Sequence, residues 1–226
     1  DQYARRAVLD EGTDVFTITR VNPVSFLTDF DAFLESLNNP DLTLADRDWL
    51  ERRLTLARAV GASVEASADL RAAGSTYRDL QVRGKTADYA VLEDLPLALG
   101  RHLTRADVRT SRPVAVLGWD VARELFPRSP DPVGKEFRLR GRHFTVVGVV
   151  EDRGTVLGNN RNLFAVVPIT AWQKVFGSRQ SIDIKVAVRD LTRFEEPRQE
   201  AAFQMRLRPR LRPLEDGIIV RSQAAL

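Results

Sequence analysis

The sequence predicts an α+β protein of two lobes, one built from both chain ends and one inserted between them. Three observations carry this. Each end spells strand, helix, strand: 15–21, 43–60 and 63–70 near the amino end, then 182–188, 193–207 and 218–220 near the carboxyl end. The stretch between is a succession of short apolar runs broken by Gly and Pro, so it reads as mostly β. The 226 residues are 43% hydrophobic and include no cysteine, enough for one large or two small domains without disulfide staples. Two strand–helix–strand units can form one open sheet with helices on a single face, a split α+β sandwich, and the insert is then a second lobe. The expected ranges are 13–76 with 181–222 for the first lobe and 77–180 for the second.

Residues 1–12 are polar and mildly helical, ending at Gly12. Val15–Val21 reads as a strand with Phe16 and Ile18 on one face. Residues 22–42, rich in Pro, Asn and Asp, read as a long excursion with one helical turn. Its apolar island, Phe26, Leu27, Phe30, Phe33 and Leu34, either packs on the next helix or forms a contact patch. Thr43-Leu-Ala-Asp46 resembles a capping box. Leu50, Leu54 and Ala57 then predict a helix to residue 60, with Asp46, Arg47, Glu51, Arg52 and Arg58 on its wet side and Gly61 as its stop.

Residues 63–70 and 77–83 suggest a hairpin around Ala73-Gly74-Ser75, and 85–111 look irregular. Pro113–Leu117 is a strand, followed by a helix whose stripe is Val121, Ala122, Leu125 and Phe126. Pro127 and Ser129-Pro130-Asp131-Pro132 end that helix. Lys135–Arg140 and Phe144–Val150 pair across Gly141-Arg142, and 151–162 form a Gly/Asn loop. Leu163–Ile169 is a strand and Thr170–Phe176 a helix stopped by Gly177. Ile182, Ile184, Val186 and Val188 alternate without a miss. A helix with Phe194, Ala201 and Met205 inward follows, Pro197 being tolerable in its first turn. Ile218–Val220 is the last strand.

Composition excludes several functions. The 34 basic residues are answered by 31 acids, for a formal charge of +3. The densest basic run, Arg206, Arg208, Arg210 and Arg212, has no aromatic platform, so no nucleic-acid partner is expected. No apolar run approaches the roughly 18–20 residues that span a bilayer, and the first residues lack a signal-peptide apolar region. The chain as it stands is expected to be soluble, its abrupt ends leaving open that it was cut from something longer.

Chemistry has few footholds. Thiolate zinc sites and cysteine nucleophiles are impossible, and two histidines, His102 and His143, make no metal cluster; both are expected to face solvent. Arg83-Gly84-Lys85-Thr86 resembles the tail of a phosphate loop, but Asp79 stands where that motif needs glycine, so it reads as a turn with a lysine in it. Glu195 and Glu196 suit a helix N-terminus. Glu151 and Asp152, at a strand end, are the best candidates for a glycosidase-type acid, with no second group placed to complete a site. No catalytic, metal or cofactor residue is therefore expected. The loop Gly154-Thr-Val-Leu-Gly158-Asn-Asn reads either as a flexible connector or as a contact surface. In the second reading Val156 and Leu157 offer apolar surface, and Asn159 and Asn160 hydrogen-bond a partner. Phe26 and Phe30 are the other candidate contacts.

One block resembles a known family. It comprises Val114-Ala-Val-Leu-Gly118, Val121-Ala-Arg-Glu-Leu-Phe126, Asp131-Pro-Val-Gly-Lys135, Phe137-Arg-Leu-Arg-Gly141 and Phe144-Thr-Val-Val-Gly-Val-Val150. It continues through Gly154…Gly158, Val167-Pro-Ile-Thr170, Phe176-Gly177 and Ile182–Asp190. Gly100-Arg101…Thr104-Arg-Ala-Asp107 precedes it. Met205-Arg-Leu-Arg-Pro-Arg-Leu211…Glu215-Asp216 follows, with Pro209 where histidine is usual. Over roughly residues 13–222 the chain is similar to the extracytoplasmic core domain of MacB/FtsX-type ABC transporter permeases.

The resemblance implies a Porter-like lobe from the two ends and an inserted Sabre-like lobe. It implies a periplasmic domain of an inner-membrane protein, held between the first and second of four transmembrane helices. The domain would be non-catalytic and mechanical, with ATP and Mg on a separate nucleotide-binding domain or subunit. Implied partners are its own transmembrane helices, an ABC ATPase, a second copy in the full transporter, and either a periplasmic membrane-fusion protein or a lipoprotein carrier. The long 22–42 segment departs from the family pattern. Two other readings stand beside this one: a free-standing two-lobed module with a ligand at the junction, and a hydrolase using Glu151 or Asp152.

Overall fold

The computed structural model describes residues 14–21, 29–72, 74–208 and 219–222. The expected helical stretch 1–12, Phe26, Leu27 and Ile218 lie outside them. In chain order the strands are β1 (Val15–Thr19), β2 (Ala57–Ala72), β3 (Ser75–Lys85), β4 (Leu97–Gly100), β5 (Val114–Leu117), β6 (Glu136–Leu139), β7 (Arg142–Val150), β8 (Thr155–Val156), β9 (Asn159–Asn160), β10 (Phe164–Pro168), β11 (Asp183–Val188) and β12 (Ile219–Ser222). The helices are α1 (Phe30–Ser36), α2 (Leu44–Arg53), α3 (Tyr89–Leu92), α4 (Arg105–Arg109), α5 (Trp119–Leu125), α6 (Ile169–Phe176) and α7 (Glu195–Arg206).

These elements form two compact units. Among the described residues, the first holds those up to Ala62, Val91–Asp94 and those from Arg179 on; the second holds Ser63–Ala90 and Leu95–Ser178. The β2–β3 hairpin, at whose turn the sequence placed its boundary after residue 76, lies in the second unit from Ser63 onward.

In the first unit the strands run β12–β1–β11–β2, with β1 antiparallel to both β11 and β12. Val15, Phe16 and Ile18 of β1 and Ile184, Val186, Ala187 and Val188 of β11 are buried. Helices α2 and α7 lie antiparallel, joined at three levels. Asp46 receives Arg208, the Trp49 indole N–H donates to the Gln204 carbonyl at 3.2 Å, and Glu200 accepts from the Thr55 backbone N–H at 2.9 Å.

The last of these contacts explains a correction. Helix α2 was expected to run to residue 60 but ends at Arg53, and Ala57 already begins a strand. The Glu200 carboxylate takes the N–H groups of Thr55 and Leu56, which would otherwise continue the helical ladder. The expected wet side is also corrected. Asp46 and Arg47 are buried, Arg47 donating from Nε to the Val60 carbonyl at 2.8 Å. The capping box at Thr43 is present, Asp46 Oδ2 accepting from the Thr43 N–H at 2.9 Å.

In the second unit the order is β2–β3–β10–β5–β7–β4, and β6 pairs with β2 and β7. Strand β10 is parallel to β3 and β5 is parallel to β7; the other pairings given are antiparallel. Tyr89, Leu95, Leu103, Val114, Val116, Val150, Phe164 and Val166 form the core. Trp172 of α6 is fully buried and donates to the Val82 carbonyl at 3.0 Å. It fits because residue 84 is glycine: a β-carbon there would stand 2.7 Å from the Trp172 side chain. The Arg-Gly-Lys-Thr stretch is thus the end of a strand rather than a turn, with Lys85 and Thr86 buried.

The stretch 85–111, expected to be irregular, contains α3, β4 and α4. Its organiser is a second capping box, in which Thr104 and Asp107 open α4. His102 does not face solvent as expected. It is half-buried, 2.7 Å from the Tyr89 hydroxyl through Nδ1 and edge-on to that ring. Burial lowers its pKa, outweighing a backbone hydrogen bond at Leu95 that raises it, so it is neutral near pH 7. His143 is exposed, as expected.

Candidate functional site

The expected Gly/Asn loop at 151–162 is a built hairpin. Strand β8 pairs antiparallel with β9, Thr155 opposite Asn160 and Val156 opposite Asn159. Leu157 and Gly158 alone form the turn, with φ of 50° and 82°. Positive φ at both central residues is the twist that a two-residue hairpin loop needs. Asparagine or aspartate is the usual first residue; leucine pays a steric penalty of about 1–2 kcal/mol there. Leu157 is also 91% exposed, so the strained residue holds its apolar side chain out into solvent.

The base of this hairpin is fixed by a network centred on buried Asn162. The Asn162 side-chain oxygen accepts from the Arg153 N–H at 2.9 Å, while its Nδ2 donates to Asp152 at 2.7 Å and to Asp120 at 3.3 Å. Asn160 donates from Nδ2 to Asp120 at 2.6 Å and accepts the Asn162 N–H at 2.8 Å. Asp120 sits in the first turn of α5, so the hairpin is tied to the start of that helix. Gly118 caps the helix, and a β-carbon there would lie 2.1 Å from the Asn162 carbonyl.

Of the expected contact residues, Val156 and Leu157 stand at the tip, Val156 half-buried, and Asn159 is exposed beside them. Asn160 is exposed too, and its amide also bonds within the chain, to Asp120 and to the Asn162 N–H. The residues that sequence reasoning missed are Asp120 and Asn162, which hold the tip in place. No local pattern marks them, since they lie 42 positions apart. Phe30 is exposed on α1 and stacked on Phe33 at 6.1 Å between centroids; Phe26 lies outside the described residues.

Of the two hydrolase candidates, Asp152 behaves differently from an acid catalyst. Asp152 accepts from Asn162 and from the Gly154 N–H, and these bonds hold its carboxyl below the usual carboxylate value. A general acid needs the opposite shift. Asp152 is instead the residue that closes the hairpin base. Among the described residues no three His, Asp or Glu side chains converge as a metal site, and no helix is long and apolar enough to cross a membrane.

Residues 2–204 match the family described as MacB-like periplasmic core domain. The macrolide export ATP-binding/permease protein MacB of Rhodospirillum rubrum is 33% identical over 171 residues, covering 75% of this chain and 26% of that protein. The pyoverdine export ATP-binding/permease protein PvdT of Pseudomonas savastanoi pv. phaseolicola is 29% identical over 119 residues, 52% of this chain and 18% of that protein. The chain thus spans about a quarter or less of these relatives. Among solved structures, the periplasmic region of MacB from Actinobacillus actinomycetemcomitans superposes with a TM-score of 0.74 at 21% identity, covering 95% of this chain and 91% of that one. The extracellular domain of the transporter YknZ from Gram-positive bacteria gives 0.67 at 19% identity, covering 85% and 92%.

Proposed function

The chain belongs to the family of MacB-like periplasmic core domains, and we propose that it is the non-catalytic extracytoplasmic part of an exporting ABC permease in the inner membrane. In this reading its two units are the Porter-like and Sabre-like lobes. ATP and Mg are bound by a nucleotide-binding domain on the same chain or another. Movement driven there reaches this domain through the transmembrane helices, and two copies work together in the assembled transporter. The domain passes the movement on to substrate and to a periplasmic partner, a membrane-fusion protein or a lipoprotein carrier. The tip at Val156 and Leu157 is the contact it offers.

One observation supports the reading most strongly. Phe16, at the start of β1, pairs with Ser222, at the end of β12, so the beginning of the first described strand lies beside the end of the last one. A domain set between two consecutive membrane helices needs that arrangement. The test uses the absence of cysteine. Leu157→Cys, placed in the full-length permease with any cysteine outside these 226 residues replaced by serine, should react with a membrane-impermeant maleimide in spheroplasts. Reaction only after lysis would overturn the extracytoplasmic placement. Leu157→Asp should lower export while leaving the protein folded and inserted; unchanged export would remove the tip from the mechanism.

A further inference from the structure

In the second unit the strand register sets Thr76, Arg71, Arg138 and His143 side by side across β3, β2, β6 and β7. Leu70 and Leu139, one residue away on their strands, are fully buried, so the row occupies the opposite, wet face. Arg71 and Arg138 are therefore like charges directly opposite each other on an antiparallel pair, an arrangement that destabilises a sheet. Arg140 joins them from the turn after β6. Its φ is 47° and its guanidinium lies 5.2 Å from the Phe176 ring centroid. With Ser67, Ala68, Asp69 and Gly141 these arginines line a cleft of about 620 Å³.

Three guanidinium groups thus share one carboxylate, and that carboxylate is poorly placed to answer them. Asp69 already accepts from the Asp79 N–H at 3.1 Å and reaches Arg71 only at 3.9 Å. His143 has Glu136 at 3.6 Å. Among the described residues Arg138 has no acidic partner. An arrangement that costs stability and is left uncompensated within the fold invites an anion from outside.

We infer that this row docks an acidic segment of a partner protein through its carboxylates. Planar guanidinium groups match carboxylates in two-point hydrogen bonds. Neighbouring strands lie about 4.8 Å apart, so Arg71, Arg138 and His143 span about 10 Å, and acids two residues apart on an extended segment repeat every 7 Å or so. A row of that length suits two carboxylates in series better than one small ion. The net positive cleft would also steer such a partner. The inference rests on these residues alone and is independent of the transport reading.

The test titrates the 226-residue chain against a fluorescent hexaglutamate peptide by anisotropy. Arg71→Gln and Arg138→Gln should each weaken binding about five-fold, and raising salt should abolish it. Arg109→Gln, at an exposed arginine outside the row, should leave binding unchanged. Arg138→Glu should reverse the preference toward hexalysine. Because Arg138→Gln relieves repulsion, its melting temperature should equal or exceed that of the unaltered chain; a clear fall would make the row structural and overturn the inference. So would equal losses at Arg109 and Arg138. Arg138-dependent binding of inorganic phosphate or of phosphatidylglycerol vesicles, with none of the peptide, would also overturn it and identify a phosphate site instead.

Discussion

Helices α2 and α4 open on the same device, Thr-x-x-Asp, yet the two carboxylates are neutralised from very different distances along the chain. In α2, Asp46 Oδ2 accepts from the Thr43 N–H and hydroxyl at 2.9 and 2.8 Å; in α4, Asp107 Oδ2 does the same for Thr104 at 2.9 and 2.9 Å. Both acids are buried. Asp107 is answered locally, by Arg101 at 2.7 Å and Arg112 at 3.6 Å. Asp46 is answered by Arg208, 162 residues away, through Nε at 3.0 Å and Nη2 at 2.8 Å. A local answer sustains a helix of only five residues. The distant answer clasps the end of α7 to the start of α2, so one capping aspartate also holds the two halves of the first unit together.

The largest effect should come from the long-range clasp. Arg208→Ala removes the two hydrogen bonds and the charge that Arg208 brings to buried Asp46 and should cost about 3 kcal/mol, read as a lower urea midpoint at unchanged slope. A loss below about 1 kcal/mol would erase the distinction between the two boxes.

Arg101→Ala should cost less, about 1.5 kcal/mol, because Arg112 still faces Asp107. The double change with Arg112→Ala should exceed the sum of the single ones; strict additivity would mean the two arginines act separately.

The same carboxylate gives a pH test. Burial alone would raise the Asp107 pKa, but hydrogen bonds from Arg101 and Thr104 together with the Arg101 charge hold it below its ordinary value of 3.8. The folded state thus releases this proton more readily than the unfolded chain. The stabilisation is present above about pH 4 and disappears as the pH falls through the folded value. Asp107→Asn should therefore be less stable than the unaltered chain at neutral pH and converge on it in acid. A gap that stays constant with pH would show that the ionised form is not what stabilises.

The smallest effect isolates the shared part. Thr43→Ala and Thr104→Ala should each cost about 1 kcal/mol by thermal melts. A clear excess at Thr43 would show that the cap and the clasp are coupled.

The same contrast explains what the sequence could disclose. Period-2 alternation marked β1 and β11, and the Pro and Gly breaks marked the limits of α5 and α6, because those signals are local. Thr43-Leu-Ala-Asp46 was legible because an apolar helical stripe follows it. Thr104-Arg-Ala-Asp107 is spelled the same way, but its helix is too short to show a stripe. The end of α2 was illegible because the residue that ends it, Glu200, lies 145 positions from Thr55. At the hairpin, the glycines and apolar tip could be read from the chain, but the network on Asp120 and Asn162 could not. The Arg71–Arg138 row needed the strand register before the two arginines became neighbours at all.

The pairing of Phe16 with Ser222 has a mechanical consequence. Force that separates the start of β1 from the end of β12 would act across the β1–β12 ladder from its open end and unzip it one hydrogen-bonded pair at a time. Force that carries both ends together loads none of those bonds. The ladder thus favours loads that move both of these strand ends in step over loads that pull them apart.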